Sequence, residues 1–302
     1  MSDDTKSPVS PWSDRLELGE GARWRDDGRL VLVDIFAGRL LTDDGSARLR
    51  TLAQLPVPLG AVAPIHGASD IWIAAAGTGV CILTHYGDVT WIGHIEQGPT
   101  DAMRVNDAVA DASGRLWFGT MDADGAEEAG SLYRVERDGT ITRVLDRITV
   151  PNGPAFTEDG SVMYLADSSL SLVRRYDVDP ASGALGAPTP FADFAGSGAP
   201  DGMTVDREGG VWITHWGGRA VHRYLPDGTL DHTIEVPAEQ PTSVCLGGDD
   251  GRLLHITSAT YEMDKPDPFD GAIFTVRVDV PGFAAASFRP EGRVAAIVQQ
   301  YR

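Results

Sequence analysis

Lysine is almost missing from this chain of 302 residues. Lys6 and Lys265 are the only two, and arginine supplies the rest of the 25 basic side chains. Against 44 acidic residues, that leaves a net charge of −19. A surface of this sign repels phosphate backbones and anionic lipids, so neither nucleic acid nor membrane is expected as a partner. The lysine scarcity fits a GC-rich bacterial genome or a salt-adapted organism. Cysteine is nearly absent as well. Cys81 and Cys245 fall in different sequence repeats, which excludes a disulfide framework and leaves two small apolar side chains. No run of 18 apolar residues occurs, and no charged-then-apolar leader opens the chain. The expectation is a cytoplasmic protein, a monomer or a weak homo-oligomer.

Sustained 3.6-residue periodicity is also lacking, which leaves out long helices. Short repeated units stand in its place. Six segments share a turn, a short apolar or aromatic run, and a Gly, Ser or Asp cluster. They are Gly28–Asp34, Ser69–Ala75, Gly114–Thr120, Gly160–Asp167, Gly210–His215 and Gly251–Thr257. Their recurrence at roughly 40–50 residues suits propeller blades better than helical arrays. Further strand candidates end in Asp-Gly hairpin signals at Asp138-Gly139 and Asp227-Gly228. A β-sandwich would need the six-fold spacing to be coincidental. The expected fold is therefore all-β: a six-bladed β-propeller with four-stranded antiparallel blades, forming one domain over residues 15–302. Residues 1–14, rich in Ser, Asp and Pro, read as a flexible tail.

Four distant motifs carry metal-competent side chains: Gly19-Glu20-Gly21, Arg104-Val105-Asn106-Asp107, Pro151-Asn152-Gly153 and Pro200-Asp201-Gly202. Glu20, Asn106, Asn152 and Asp201 offer oxygen only, which suits hard divalent cations. Taken alone, each Gly-flanked residue reads as turn chemistry by default. Arg104 and Asn106 are two apart, so an extended segment faces both to one side.

These motifs, with Ala22-Arg23-Trp24, GRLWFGTM (Gly114–Met121), GSLYRV (Gly130–Val135), Trp216-Gly217-Gly218 and PTSVCLGG (Pro241–Gly248), resemble the SMP-30/gluconolactonase/luciferin-regenerating enzyme family, which includes regucalcin and sugar lactonases. The order is the family's own, and GRLWFGTM is most similar to its bacterial sugar-lactonase branch. The resemblance implies one divalent metal ion (calcium, zinc, magnesium, manganese or ferrous iron) held by Glu20, Asn152 and Asp201. It implies substrate binding by Arg104, Asn106 and Asp124, with Asp201 also the catalytic base. The implied activity is hydrolysis of a small sugar lactone. Alternatives on the same scaffold are a calcium-binding regulatory propeller without turnover and a metal-dependent esterase or organophosphatase. Two positions depart from the family pattern: Ala22 stands where proline is usual, and Ala108 where glycine is usual.

Other motifs carry less. The acidic loop Met121–Gly130 has part of an EF-hand pattern without its distal Glu or flanking helices. Ser168 and Ser169 lack a Gly-x-Ser-x-Gly elbow, so a serine-hydrolase mechanism has no support. His66, His85 and His94 lack metal-site spacing. His215 reads as a structural side chain rather than a channel residue. Substrate specificity is expected in loops around residues 55–66, 95–103 and 121–130.

Overall fold

The computed structural model describes residues 9–95, 102–194, 196 and 198–302. Six four-stranded antiparallel sheets are arranged as blades of a six-bladed propeller. From the axis outwards, the first blade is Gly19–Trp24, Leu30–Asp34, Arg39–Asp43 and Leu49–Gln54. The innermost strands of the others are Leu59–Ile65, Met103–Ala110, Pro151–Phe156, Ala199–Val205 and Pro241–Gly247. Each repeated segment noted in the sequence is the second strand of its blade; Gly114–Thr120, for example, becomes Leu116–Asp122. The glycine ahead of that strand closes a tight turn in a left-handed conformation, as at Gly114, φ 85°. Both Asp-Gly hairpins form where expected, with Gly139 N donating to Glu136 O and Gly228 N to Leu225 O, each at 2.9 Å.

The second strands read as near-continuous apolar runs because both faces are covered. Among the described residues, six apolar clusters lie between neighbouring blades. Trp72 packs between blades one and two, Trp117 between three and four, and Trp212 between five and six. The indoles are also polar anchors. Trp117 Nε1 donates to Asp111 Oδ2 and Trp212 Nε1 to Asp206 Oδ2, both at 2.9 Å. Each carboxylate is paired with a buried arginine, Arg115 and Arg223, at 2.7 Å. Buried ions of this kind hold only when paired and hydrogen-bonded.

Of the expected tail, residues 1–8 lie outside the described residues, and residues 10–12 are built into the fold. Ser10–Pro11 pairs with Phe274–Arg277 as the outermost strand of the sixth blade, and Trp12 is buried beneath it. An N-terminal strand completing a blade of C-terminal strands ties the ring shut, because a sheet left with three strands would expose apolar faces. After its last strand the chain runs back across the end of the channel opposite to Glu20. Arg207 N donates to Pro281 O (2.9 Å), Ala285 N to Trp24 O (2.8 Å), Phe288 N to Pro64 O (2.8 Å) and Arg289 N to Gly114 O (3.0 Å). A short helix, Gly292–Gln299, follows, burying Val294 and Val298. Among the described residues no helix is long and apolar enough to cross a membrane.

Every innermost strand breaks register near its start, and Leu59–Ile65 does so a second time at Pro64/Ile65. The first shifts lie at Glu20/Arg23, Leu59/Ala61, Val105/Ala108, Asn152/Ala155, Pro200/Met203 and Pro241/Val244. A bulge re-aims the side chains that flank it. The channel-facing chemistry sits at these bulges.

Candidate functional site

Glu20, Asn106, Asn152 and Asp201 lie at the bulges of blades one, three, four and five, and all four are buried. Together with Arg104 they line one cavity of about 280 Å³ at the end of the channel where the inner strands begin. The second blade contributes no side chain, for a steric reason. Its equivalent position is Gly60, where a Cβ would stand 2.1 Å from Asn106 O. Gly202, next to Asp201, is similarly constrained by Thr242 O, 2.7 Å from a hypothetical Cβ. The backbones meet so closely here that only glycine fits.

A directional hydrogen-bond chain orders the polar wall. Arg104 Nη1 donates to Asn106 Oδ1 (2.8 Å) and to Val105 O (3.0 Å). Asn106 Nδ2 donates to Asn152 Oδ1 (2.8 Å) and to Pro151 O (3.0 Å). Asn152 Nδ2 donates to Ser168 Oγ at 2.8 Å. The Arg104 guanidinium lies 5.5 Å from the Phe36 ring centroid, and Phe36 stacks on Tyr261 at 4.9 Å. This fixes a cation at the cavity wall without consuming it in an ion pair with a carboxylate.

The two acids are far less satisfied. Among the described residues, Glu20 Oε2 accepts only the N–H of Gly21, at 3.0 Å. Asp201 Oδ1 is buried and has no hydrogen-bond partner among the described residues. Burial, and then the charge of Asp107, push Glu20 up to about 8. Burial, then Glu20 and Asp107, raise Asp201 well above the usual carboxylate range. Asp107 is itself raised by burial, against the opposing effect of Arg23, its ion-pair partner at 3.3 Å. Asp107 also accepts from Ala108 N at 2.7 Å, so it serves its own bulge rather than the cavity.

Such a group of acids meets the chemistry of a cation site. A divalent ion would satisfy the orphaned Asp201 oxygen and oppose the repulsion between two buried carboxylates, with an Asn152 amide as neutral donor. Among the described residues no cluster of three or more His, Cys, Asp or Glu suited to a metal occurs. The fit therefore rests on a mixed set of two carboxylates and one amide.

One expected residue stands apart from this cavity. Asp124 is exposed, its backbone N–H bound to Asp122 Oδ1 at 2.9 Å, and it is not among the lining residues. His215 is buried against Phe194 and His222, 5.2 and 3.9 Å between ring centroids, and does not line the cavity either. Of the expected specificity loops, residues 96–101 lie outside the described residues, 121–130 contributes Met121, and 55–66 contributes no lining side chain. Leu18, Val150, Trp216 and Tyr261 line the cavity without having been singled out for it from the sequence. Trp216 falls in the Trp-Gly-Gly motif, but Tyr261 sits in a loop outside any repeat, so no sequence signal marked it.

The fold and this axial cavity together define a six-bladed propeller with a mixed carboxylate and amide site at one mouth. Residues 18–260 match the family model described as SMP-30/Gluconolactonase/LRE-like region, and the chain belongs to that family. Relatives include the pentonolactonase XacC of Haloferax volcanii, 36% identical over 287 residues (91% of this chain, 94% of the relative). The L-arabinolactonase of Azospirillum brasilense is 35% identical over 285 residues (91% and 93%). Among solved structures, the calcium-binding protein regucalcin from Agrobacterium tumefaciens strain C58 superposes with a TM-score of 0.86 at 29% identity, covering 92% of this chain and 97% of that one.

Proposed function

We infer that the protein hydrolyses a small sugar lactone with the help of one divalent cation held by Glu20, Asn152 and Asp201. The observation that carries this reading is the buried, unpartnered Asp201 oxygen beside a second buried acid in the same cavity. When bound, the cation supplies Lewis acidity to the lactone carbonyl and to the attacking water. Every other contribution comes from the chain. Arg104 and Asn106 hold the hydroxyl-bearing part of the ring, since a guanidinium donates in several directions and an amide both donates and accepts. Asp201 takes the proton of the attacking water; a cation beside it lowers its basicity but acidifies that water as well, so the transfer stays matched. The cavity, about 280 Å³, is just under the ~300–1,000 Å³ common for drug-sized ligands and matches a single sugar ring. Relatives named as pentonolactonase and L-arabinolactonase support the same substrate class.

One observation favours a second reading. Leu18, Met121, Val150, Trp216 and Tyr261 make much of the cavity wall apolar or aromatic, which suits an ester carrying an apolar group. A regulatory calcium site without turnover fits less well, because an ion buffer has no use for the Arg104–Asn106 pair. A pH-indicator assay over gluconolactone, xylonolactone, arabinolactone and aryl esters, with and without EDTA, separates the three. Turnover of a sugar lactone that EDTA abolishes is expected. Preference for aryl esters would select the second reading, and no turnover of any substrate would reject both.

A further inference from the structure

We propose that Ser168 is a positioning residue that sets the orientation of the Asn152 amide, and through it the cation-binding face of the site. The inference rests on the reading of Asn152 and Asp201 as metal ligands. Ser168 opens a short 3-10 turn, Ser168–Leu170, immediately after the second strand of blade four. Its single hydroxyl proton is committed to Pro200 O, at 2.5 Å. A carbonyl only accepts, so Ser168 Oγ meets Asn152 as an acceptor. It receives Asn152 Nδ2 at 2.8 Å. The amide nitrogen therefore turns towards Ser168 and Oδ1 turns the other way, where Asn106 Nδ2 meets it at 2.8 Å. An amide flip would place two donors against each other at Asn106 and two acceptors against each other at Ser168. The second lone pair of that same Oδ1 stays available to a cation.

The hydroxyl also joins two blades. Asn152 belongs to blade four, whereas Pro200 precedes Asp201 in blade five. One side chain thus fixes the amide of one candidate ligand and the backbone ahead of another. The turn is itself held in place: Ser168 N donates to Val150 O (3.0 Å), and Ser169 Oγ to Asp167 Oδ1 (2.9 Å). Asp167 in turn accepts from Thr149 N and Val150 N at 3.0 and 3.1 Å. Hydrogen-bonding partners that orient metal ligands commonly govern affinity by 10–100-fold.

The test is calorimetric titration of Mn²⁺ into the metal-free parent, Ser168→Ala, Ser168→Thr, Asn152→Asp and the double variant Asn152→Asp/Ser168→Ala. Losing the hydroxyl should weaken Mn²⁺ binding about tenfold, and threonine, which keeps it, should restore binding to within about twofold. A carboxylate at 152 presents oxygen whichever way it is turned. On that background Ser168→Ala should therefore change Mn²⁺ affinity by less than about twofold, which a general loosening of the fold would not reproduce. Parental affinity in Ser168→Ala, or a loss that persists undiminished beside Asp at 152, overturns the positioning role alone. A parent that takes up no Mn²⁺ overturns the metal reading, and the positioning role with it.

Discussion

At the end of the channel where the inner strands begin, Glu20 and Asp201 are buried with few partners, and Asp201 Oδ1 has none among the described residues. At the other end, where the same strands finish, a larger cavity of about 490 Å³ runs between Arg23, Val109, Phe156, Met203 and the returning segment at Phe283–Ser287. There the backbone is tied off blade by blade, at Trp24, Pro64 and Gly114. The Arg23–Asp107 ion pair lies between the two ends: Arg23 lines the far cavity, and Asp107 raises both acids of the site. The contrast separates two uses of one scaffold. Unsatisfied buried charge costs stability and is retained where it can bind or react. Satisfied backbone and packed aromatics at the opposite end offset that cost.

The sharpest way to break this contrast is Asp201→Asn. It keeps the shape and one oxygen while removing charge and basicity. At saturating cation, kcat for the best lactone should fall by roughly 10²–10⁴. The metal-free variant should melt higher than the metal-free parent above pH 7, because a repulsive buried carboxylate is gone. Near-parental kcat at full occupancy would leave Asp201 a ligand only; a lower metal-free Tm would remove the claim that the site end is strained by charge.

Phe288→Ala probes the other end. Phe288 is fully buried against blades two and three, and its N–H is bound to Pro64 O at 2.8 Å. Large-to-small truncation of a buried phenylalanine costs about 3–5 kcal/mol. Chemical denaturation should show that loss, while kcat/KM of the folded enzyme stays within about twofold. A specific activity that falls in step with stability would mean that the two ends are not separable.

The two ends should also titrate in opposite directions. His255, stacked on Trp24 at 5.2 Å and edge-on to Trp12 at 6.3 Å, has neither ring nitrogen hydrogen-bonded among the described residues. Burial pulls it down from 6.5 to about 4. A depressed histidine leaves stability intact above pH 6.5. As pH falls towards 4 the unfolded chain takes up the proton first, and roughly 3 kcal/mol is lost. Glu20 moves the other way, from 4.5 to about 8. Its stabilising contribution is full below pH 4.5 and disappears as pH rises through 8, in the metal-free protein. Denaturation of the metal-free parent across pH 4–9 should therefore show both flanks. His255→Phe should flatten the acid flank alone, and Glu20→Gln the alkaline flank alone. An acid flank unchanged in His255→Phe would refute the assignment.

The smallest effect is expected from Arg104→Ala. The guanidinium is held by Asn106, Val105 O and Phe36, and it faces the cavity rather than pairing with an acid. Loss of a charged hydrogen bond should lower kcat/KM by about 1.5–3 kcal/mol, with Mn²⁺ affinity nearly unchanged. Lactone hydrolysis at the parental rate would remove Arg104 from substrate binding.

Much of this architecture is legible locally. Gly114–Thr120 announces a strand because its apolar run follows a turn glycine, and Leu116–Asp122 is that strand. Asp138-Gly139 announces a hairpin for equally local reasons. Glu20, Arg104, Asn106, Asn152 and Asp201 were recognisable from short motifs, and one cavity gathers all five. Asp124 came from the resemblance, by its position in an acidic loop with no motif of its own, and it is exposed. Tyr261 and Phe36 could not be read this way, since their stacking joins segments more than 200 residues apart.

What the amino-acid order determined by itself is the blade. Turn glycines, period-two and continuous apolar runs and Asp-Gly hairpins act over fewer than about ten residues, and they need no knowledge of the ring. Tertiary structure decided how the ring closes, with Ser10–Pro11 completing a blade whose other strands come from the far end of the chain. It decided that the inner strands of blades one, three, four and five bulge where Glu20, Asn106, Asn152 and Asp201 sit, with glycine alone fitting at the second blade's equivalent position, Gly60. It also decided the charge state of the site. Glu20 is an ordinary carboxylic acid until burial and Asp107, 87 residues away in the chain, raise it to about 8. Desolvation and Coulomb repulsion depend on distance in space, and distance in space exists only once the chain has folded.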